Sequence, residues 1–440
     1  MSKRLIAVLA LALVAGLAFA PAYAEVQNVK VSGDILASGV SRHHFNLTNS
    51  NIGDKSVLKQ NFLMTQVRLR VDADLTDNVM ATVRLINERI WNGQNDTAAS
   101  GNSNIDLDLA YVTLKEFLYS PLSLTIGRQE ISFGNGLIIG NAKVPGNSTS
   151  IPTDLTERKS FDAVRATLDY DPLVVDLVYA QVKQNNSVDR NTTSLAGVNA
   201  TYALDKKTNI SGYYWLKKDN NLTSTASSRA DHVNTIGGLI SSTPIDNLTA
   251  SLEGTYQFGR NTATAMQKKH DAWALQAMAD YTFAKVKTTP KFGASWTYLS
   301  GRRDGNGDNH GWDQMFYDQK LNNIVYTLLP FTNMNAYNLK ASCKPVEDVS
   351  IAAVFGYYDV AKKSEGGITV PFTYDGGTAY YATGYTGKRH LGEALDITAT
   401  YDYTEDVQFA LTGGFFIPGK ALVTDRSTAT QLIGSMKVAF

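Results

Sequence analysis

From Asn61 to Arg89, apolar and polar positions alternate with a period of two. Leu63, Val67, Leu69, Val71 and Ala73 share one parity, while Gln66, Arg68, Arg70 and Asp72 take the other. After the turn Leu75-Thr76-Asp77-Asn78, Val79, Ala81, Val83 and Leu85 oppose Thr82, Arg84 and Glu88. Successive side chains of a strand point to opposite faces, whereas a helix would scatter these arginines around its circumference. The stretch therefore predicts a hairpin with one face for hydrocarbon or core and the other for water. The pattern recurs in Trp273, Leu275, Ala277, Ala279 and Tyr281 against Gln276, Asp280 and Thr282. It recurs again in Leu248, Ala250, Leu252 and Tyr256 against Thr249, Ser251, Glu253 and Gln257.

Strand-like runs are expected at 29–45, 61–74, 78–89, 105–116, 122–133, 161–170, 173–182, 193–204, 208–217, 232–242, 247–258, 271–283, 287–299, 334–344, 349–359, 391–403, 406–416 and 428–440. That is about eighteen, an even number, as in bacterial single-chain barrels. The connections alternate between short turns such as 75–78, 171–172, 205–207 and 404–405 and long polar segments such as 134–160, 300–333 and 360–390. Such sorting predicts an all-β fold, a transmembrane antiparallel β-barrel of about 18 strands with short periplasmic turns and long extracellular loops. A soluble sandwich or solenoid would not sort its connections this way. Tyr111, Tyr179, Tyr202, Tyr256, Tyr281, Trp296, Tyr298, Tyr357 and Tyr401 are placed for interface girdles. The final run Met436-Lys437-Val438-Ala439-Phe440 resembles the signal read by the outer-membrane assembly machinery.

The first residues carry an address. Lys3 and Arg4 precede an apolar run from Leu5 to Ala20, and Ala22-Tyr23-Ala24 fits a small-x-small cleavage site. Residues 1–24 are thus expected to be a signal peptide, and 25–440 one barrel domain embedded in outer-membrane lipid. No later apolar run is long enough for a spanning helix. Without Lys3 and Arg4, 39 basic residues face 41 acidic ones, a balance that excludes a nucleic-acid partner. Cys343 is the sole cysteine, so no intramolecular disulfide can form.

Strand number sets the lumen: at 16 to 18 strands a barrel is too wide for side chains to fill. Passage is the expected function. On the inward parity the first third of the barrel concentrates Arg68, Arg70, Asp72, Arg84, Glu88, Asp106, Asp108, Arg165 and Asp176. Arg beside Asp holds guanidinium groups extended and oriented for an anionic or sugar ligand. Mutual neutralisation alone is the other reading of the same charges. The six histidines, His43, His44, His232, His270, His310 and His390, lie beside no Ser/Asp constellation, so no enzyme is expected, and no cofactor. Asp304, Asn306 and Asp308 alternate like calcium ligands, but Asn309 stands where such a loop needs Gly, which favours a solvated turn. The two longest loops, 300–333 and 360–390, are candidates to fold inward as a gate, with Gly376-Gly377 and Tyr380-Tyr381 as hinge and stacking surface.

Gly127-Arg128-Gln129-Glu130-Ile131-Ser132-Phe133-Gly134 resembles the Gly-Arg-Gln-Glu strand of the alginate export porin family. Phe161-Asp162-Ala163-Val164-Arg165, Leu391-Gly392-Glu393-Ala394-Leu395-Asp396 and Phe415-Phe416-Ile417-Pro418-Gly419 are similar to further strands of that family. The resemblance implies an eighteen-stranded monomeric barrel through which a linear anionic polysaccharide leaves the cell, with a periplasmic export partner as a further expectation. By motif match it makes Arg128, Glu130, Asp162, Arg165, Glu393 and Asp396 lumen or pore-mouth residues. Two departures open a second reading, a small-solute diffusion porin. Asn135-Gly136-Leu137-Ile138-Ile139-Gly140 lacks the charges usual after this motif, and inward basic residues thin to Lys217, Lys291 and Lys340 in later strands. Arg128 also shares parity with Leu122, Leu124 and Ile126. Strict alternation would point it at lipid, at a cost of about 2–4 kcal/mol at the midplane, so a bulge near Gly127 is expected to turn it inward.

Overall fold

The computed structural model describes residues 28–45, 47, 59–91, 105–142, 151–152, 154–183, 192–220, 231–264, 266–301, 310–363, 368–374, 377–383, 387–422 and 426–440. The first wall comprises β1 (Asn28–His43), β2 (Lys59–Thr76), β3 (Val79–Ile90), β4 (Asp106–Leu114), β5 (Leu122–Gln129), β6 (Phe161–Asp169) and β7 (Leu173–Lys183). It continues through β8 (Thr193–Asp205), β9 (Thr208–Asp219), β10 (Asp231–Ile245), β11 (Leu248–Thr264), β12 (Met266–Thr282) and β13 (Lys291–Leu299). Helix α1 (Asn323–Leu328) lies in the next connection, before β14 (Met334–Val346) and β15 (Val349–Val360). A small separate hairpin, β16 (Ile368–Tyr374) and β17 (Gly377–Thr383), precedes β18 (His390–Asp402), β19 (Val407–Pro418) and β20 (Ala429–Ala439).

Barrel strands pair antiparallel with their neighbours in sequence, β15 skips the hairpin to pair with β18, and β20 returns to β1 from Asp34↔Ala439 to His43↔Thr430. The eighteen-stranded sheet therefore has no edge. In lipid that closure is obligatory, because hydrocarbon offers no partner to an open row of N–H and C=O groups. The seam is tight. Gly33 N donates to Phe440 O at 2.8 Å, and Phe440 N donates back to Gly33 O at 3.0 Å. A Cβ at position 33 would lie 2.5 Å from the Arg68 carbonyl oxygen and 2.7 Å from the Phe440 ring.

Alternation sets the faces as the sequence predicts. Leu69, Val83, Ile126, Leu177, Ile236, Leu252, Leu339, Ile397 and Leu411 are exposed outward, flanked by Tyr179, Tyr214, Tyr256, Trp273, Tyr337 and Tyr357 toward the long loops and Tyr202, Phe292, Tyr401 and Phe409 toward the short turns. Tyr111 is a correction. The register shifts between Arg84 and Leu85, where Asp108 is the extra residue on β4, and this bulge carries Tyr111 to the inward face beside Arg70.

The predicted fifth strand also ends early. After Gln129 the chain leaves the wall and enters the barrel, burying Ile131, Leu137, Ile138, Ile139 and Ala142. A second insertion buries Trp312, Met315, Phe316, Leu321, Ile324, Leu328 and Phe331 against the first and against inward wall residues such as Phe161, Trp215, Tyr358 and Phe416. The two insertions join at a parallel bridge, Ile139↔Phe316, with Gly140 N donating to Phe316 O at 2.8 Å. Gly136, at φ 71°, permits the contact, since a Cβ there would meet the Asp318 carbonyl oxygen at 2.9 Å. Inward folding of the described residues 310–333 agrees with the gate candidate at 300–333, and that of 131–142 is a feature the alternation does not predict. Within 360–390, the other gate candidate, the chain forms the hairpin β16–β17, while Gly376 and the side chains of Tyr380 and Tyr381 lie outside the described residues. So do residues 1–24 and the calcium candidate Asp304, Asn306 and Asp308. Among the described residues no His/Cys/Asp/Glu group could hold a metal ion.

The seam generates a test. Gly33→Ala forces backbone movement and is expected to destabilise the barrel by about 1–3 kcal/mol. Gly212→Ala, with nothing within 4 Å of the new Cβ, serves as control. Heat-modifiable gel mobility of the two variants checks this, with a lower transition temperature expected only at position 33.

Candidate functional site: the inserted loops and their charged wall

Strand parity aims Asp34 and Arg42 of β1, Gln66, Arg68, Arg70 and Asp72 of β2, Arg84 and Glu88 of β3, and Asp106 and Asp108 of β4 into the barrel. The segment 154–159 runs against this wall and is fixed by ion pairs. Glu88 is the centre: it accepts from Gln66 Nε2 at 2.8 Å, Thr156 Oγ1 at 2.8 Å, Glu157 N at 2.9 Å and Arg158 Nε at 3.0 Å. Arg158 also reaches Asp106 at 2.5 Å. Arg68 bridges Asp34 at 2.7 Å and Glu157 at 3.3 Å. One row further, Arg84 Nε donates to Asp108 at 2.6 Å, and its Nη2 to Glu130.

The ends of the insertion are held as well. Arg42, almost wholly buried, donates through Nε to Gln431 at 2.8 Å and through both terminal nitrogens to Asp154. Burial pushes the Asp154 carboxyl up, but Arg42, Lys320 and the Thr327 hydroxyl outweigh burial and hold it below the usual carboxylate range. Lys159 pairs with Asp318 at 2.6 Å, linking the two insertions. Asp313 pairs with Lys217 of β9 at 2.8 Å; its burial is likewise outweighed by that ammonium, so its pKa is also lowered. Asp396 of β18 accepts from Asn323 N at 2.5 Å and Ile324 N at 3.4 Å, satisfying orphan donors at the start of α1.

Two guanidinium groups are less covered. Arg70 spends Nε and Nη2 on Asp72, and Arg165 of β6 spends Nε and Nη2 on Asp176 of β7 at 2.8 Å. Their side chains stay 37% and 30% exposed, against 10% for Arg84 and 1% for Arg42. Arg165 stands 5.3 Å over the Phe133 ring. Across the barrel, Asn135, Asn209, Ser241, Thr249 and Ser251, with Lys206, Lys207 and Asp280, line a cavity of about 480 Å³ between the first insertion and β9–β12.

The structure brings Arg68, Arg84, Glu88, Asp106, Asp108 and Glu130 together and sets Arg70, Arg165 and Asp396 on the same inward face. Arg128, Asp162 and Glu393 are corrections. The cross-strand row Ala110↔Arg128↔Asp162↔Gln181 has the parity of outward Ile126, Val164 and Tyr179, so no bulge at Gly127 turns Arg128 inward. Its guanidinium instead pairs with Asp162 at 2.7 Å and donates to Leu107 O at 2.9 Å, near the ends of the strands that meet long connections. Glu393 pairs across with outward Tyr357 and lies 3.4 Å from His390 Nε2. Sequence reasoning missed Arg42, Asp154, Glu157, Arg158, Lys159 and Asp313. The available signal was Leu137-Ile138-Ile139, an apolar triplet inside a supposed outer loop, followed by the charged run Glu157-Arg158-Lys159.

The fold has solved counterparts. The Pseudomonas aeruginosa OccK2 (OpdF) structure in complex with glucuronate superposes with a TM-score of 0.57 at 10% identity, covering 94% of this chain and 99% of that one. Acinetobacter baumannii OccAB2 gives 0.55 at 11% identity, and P. aeruginosa OpdQ 0.55 at 13%, each over 94% of this chain and 99% of the other. These are outer-membrane porins. No curated protein matches by sequence. The alginate export model, however, matches residues 41–434. With that match over most of the barrel, the chain belongs to the alginate export family and is a channel of the bacterial outer membrane.

Proposed function

We propose that this channel passes a polar, anionic oligo- or polysaccharide along the wall that carries Arg70 and Arg165, with Arg68 and Arg84 behind the insertion. The observation that carries the reading is one-sided pairing. Asp72 and Asp176 engage the Nε and Nη2 edge of each guanidinium and leave Nη1 outside the pair. A guanidinium oriented in this way offers charged donors to a passing carboxylate with little further loss of side-chain freedom. The Ser, Thr and Asn side chains opposite suit sugar hydroxyls. Small polar solutes are the second reading. It is favoured by compensation, since Arg42, Arg68, Arg70, Arg84, Arg158 and Arg165 each contact a carboxylate and give no unpaired positive constriction.

Planar-bilayer recording with glucuronate and short oligouronates separates the two. Under the leading reading oligouronates block the current, and Arg165→Ser or Arg70→Ser weakens the block about ten- to a hundredfold, the worth of one charged hydrogen bond at about 1.5–3 kcal/mol. Arg128→Ser, on the outer face, leaves the block unchanged. Indifference of the native channel to every oligouronate would establish small-solute diffusion instead.

The insertion acts as a latch on the conduit. Arg158→Ala leaves Glu88 and Asp106 without their cation, a loss of about 3–5 kcal/mol for a buried pair. Larger or flickering single-channel conductance at neutral pH is the expected result. The acid limb has a defined sign. Asp154 and Asp313 have depressed pKa values in the folded protein, so their stabilisation is present above the unfolded value of about 4 and is lost as pH falls through the folded value. Conductance should hold steady from pH 8 to 5 and rise only below about 4, whereas Asp154→Asn should raise it at neutral pH.

A further inference from the structure

Outside the lumen, one flank of the barrel carries a row of basic side chains. Lys218 of β9 pairs across with His232 of β10, His232 with Arg260 of β11, and Arg260 with Lys269 of β12. All four have the parity of outward Tyr214, Ile236, Tyr256 and Trp273, so the row faces away from the barrel interior. Lys218, Arg260 and Lys269 are exposed. Among the described residues no ion pair engages Lys218, His232 or Arg260, and Lys269 has only Asp271 at 4.0 Å. Asp219 and Asp231, at the ends of the same strands, take the inward parity.

The height of the row matters as much as its charge. It lies on the side where β9 and β10 meet the long connection 220–230, which in such barrels is the extracellular side, and β11 and β12 continue past it as a hairpin to Thr264 and Met266. Directly beneath, toward the hydrocarbon, stand Phe258 and Tyr256, stacked at 5.9 Å, and Trp273 and Tyr298, stacked at 4.2 Å. Arg260 lies two positions beyond Phe258, which sets it roughly 7 Å beyond the aromatic girdle at about 3.4 Å per residue. Aromatic girdles mark the interface, so the row meets the headgroup layer rather than acyl chains. Four neighbouring strands spread the charges over about 14 Å at about 4.8 Å per strand, the span of a disaccharide headgroup with a phosphate at each end. Two other flanks at this height differ. Arg128 is neutralised by Asp162, and β15 and β18 present Asp359 and Glu393 around His390.

We propose that the Lys218–His232–Arg260–Lys269 row is a docking surface for the phosphorylated sugar headgroup of lipopolysaccharide in the outer leaflet. The aromatic shelf of Tyr256, Phe258 and Trp273 supports the first acyl carbons, and the lysines and arginine take the phosphates as charge-assisted partners. The surface is separate from the conduit and independent of what the channel carries.

The test uses the full chain in zwitterionic detergent micelles, titrated with purified lipopolysaccharide and with the same material dephosphorylated. The intact form is expected to bind at least tenfold more tightly, with affinity falling as salt is raised, because exposed charges are screened. The triple variant Lys218→Ser/Arg260→Ser/Lys269→Ser is expected to lose that difference while keeping native heat-modifiable mobility and native conductance. Arg128→Ser is expected to retain it. Equal affinity for the dephosphorylated form, insensitivity to salt, or displacement of lipopolysaccharide from the native protein by soluble oligouronate would each overturn the proposal. So would a folded triple variant that binds as the native protein does. If the triple variant does not fold, the dephosphorylation and salt measurements on the native protein decide.

Discussion

Closure of the backbone hydrogen-bond ladder in a medium without water is the constraint on which the rest of this structure depends. A spanning sheet with an edge would leave N–H and C=O groups unpaired in hydrocarbon, at several kcal/mol each. The chain meets that demand at one seam, β1 against β20, where Gly33 lets the Phe440 ring and the Arg68 carbonyl approach. Closing eighteen strands in turn fixes a lumen too wide for wall side chains to fill. The inserted segments 134–142 and 312–331 bury their apolar residues there, giving the barrel an interior core it could not build from its wall alone.

Insertion into a polar lumen explains the charges. A loop that enters the barrel carries its own backbone and ionised groups, and each needs a partner. Glu88 takes three donors from 156–158, Asp396 takes two N–H groups at the start of α1, and Lys217 takes Asp313. Removing either member of such a pair is costly, while the intact pair stabilises little beyond what an apolar contact would. The ladder therefore specifies where the loops rest more than it strengthens the fold. A separate set of wall pairs, with Asp72 and Asp176, holds Arg70 and Arg165 extended.

The barrel was legible because its signal is local. Period-two alternation and the sorting of short and long connections gave the strand number, the closure and the inward parity of Arg68, Arg84 and Glu88, while Asp396 came only from the family resemblance. What parity cannot carry is an interruption. A single extra residue at Asp108 moved Tyr111 inside, and expecting a bulge at Gly127 moved Arg128 inside when the strand continues without one. The cost argued for lipid exposure at the midplane did not apply to Arg128, because it sits near the strand end with Asp162 as its partner. Loops were the other gap. Asp154, Arg158 and Asp313 became site residues through contacts with strands far away in sequence, and no periodicity reports such contacts.

Charge is distributed by medium rather than by strand. The inward arginines named above meet carboxylates because the lumen holds fixed protein groups at ion-pair distance, and an unpaired charge there would also bias every passing ion. On the outer face the rule changes with height. Below the girdle no cation is tolerated, and Arg128 near the strand ends brings its own counter-ion. Lys218 and Arg260, lying beyond Phe258, bring none. Groups that remain uncompensated need an anion from their surroundings, and the layer that surrounds them is the headgroup region of the outer leaflet.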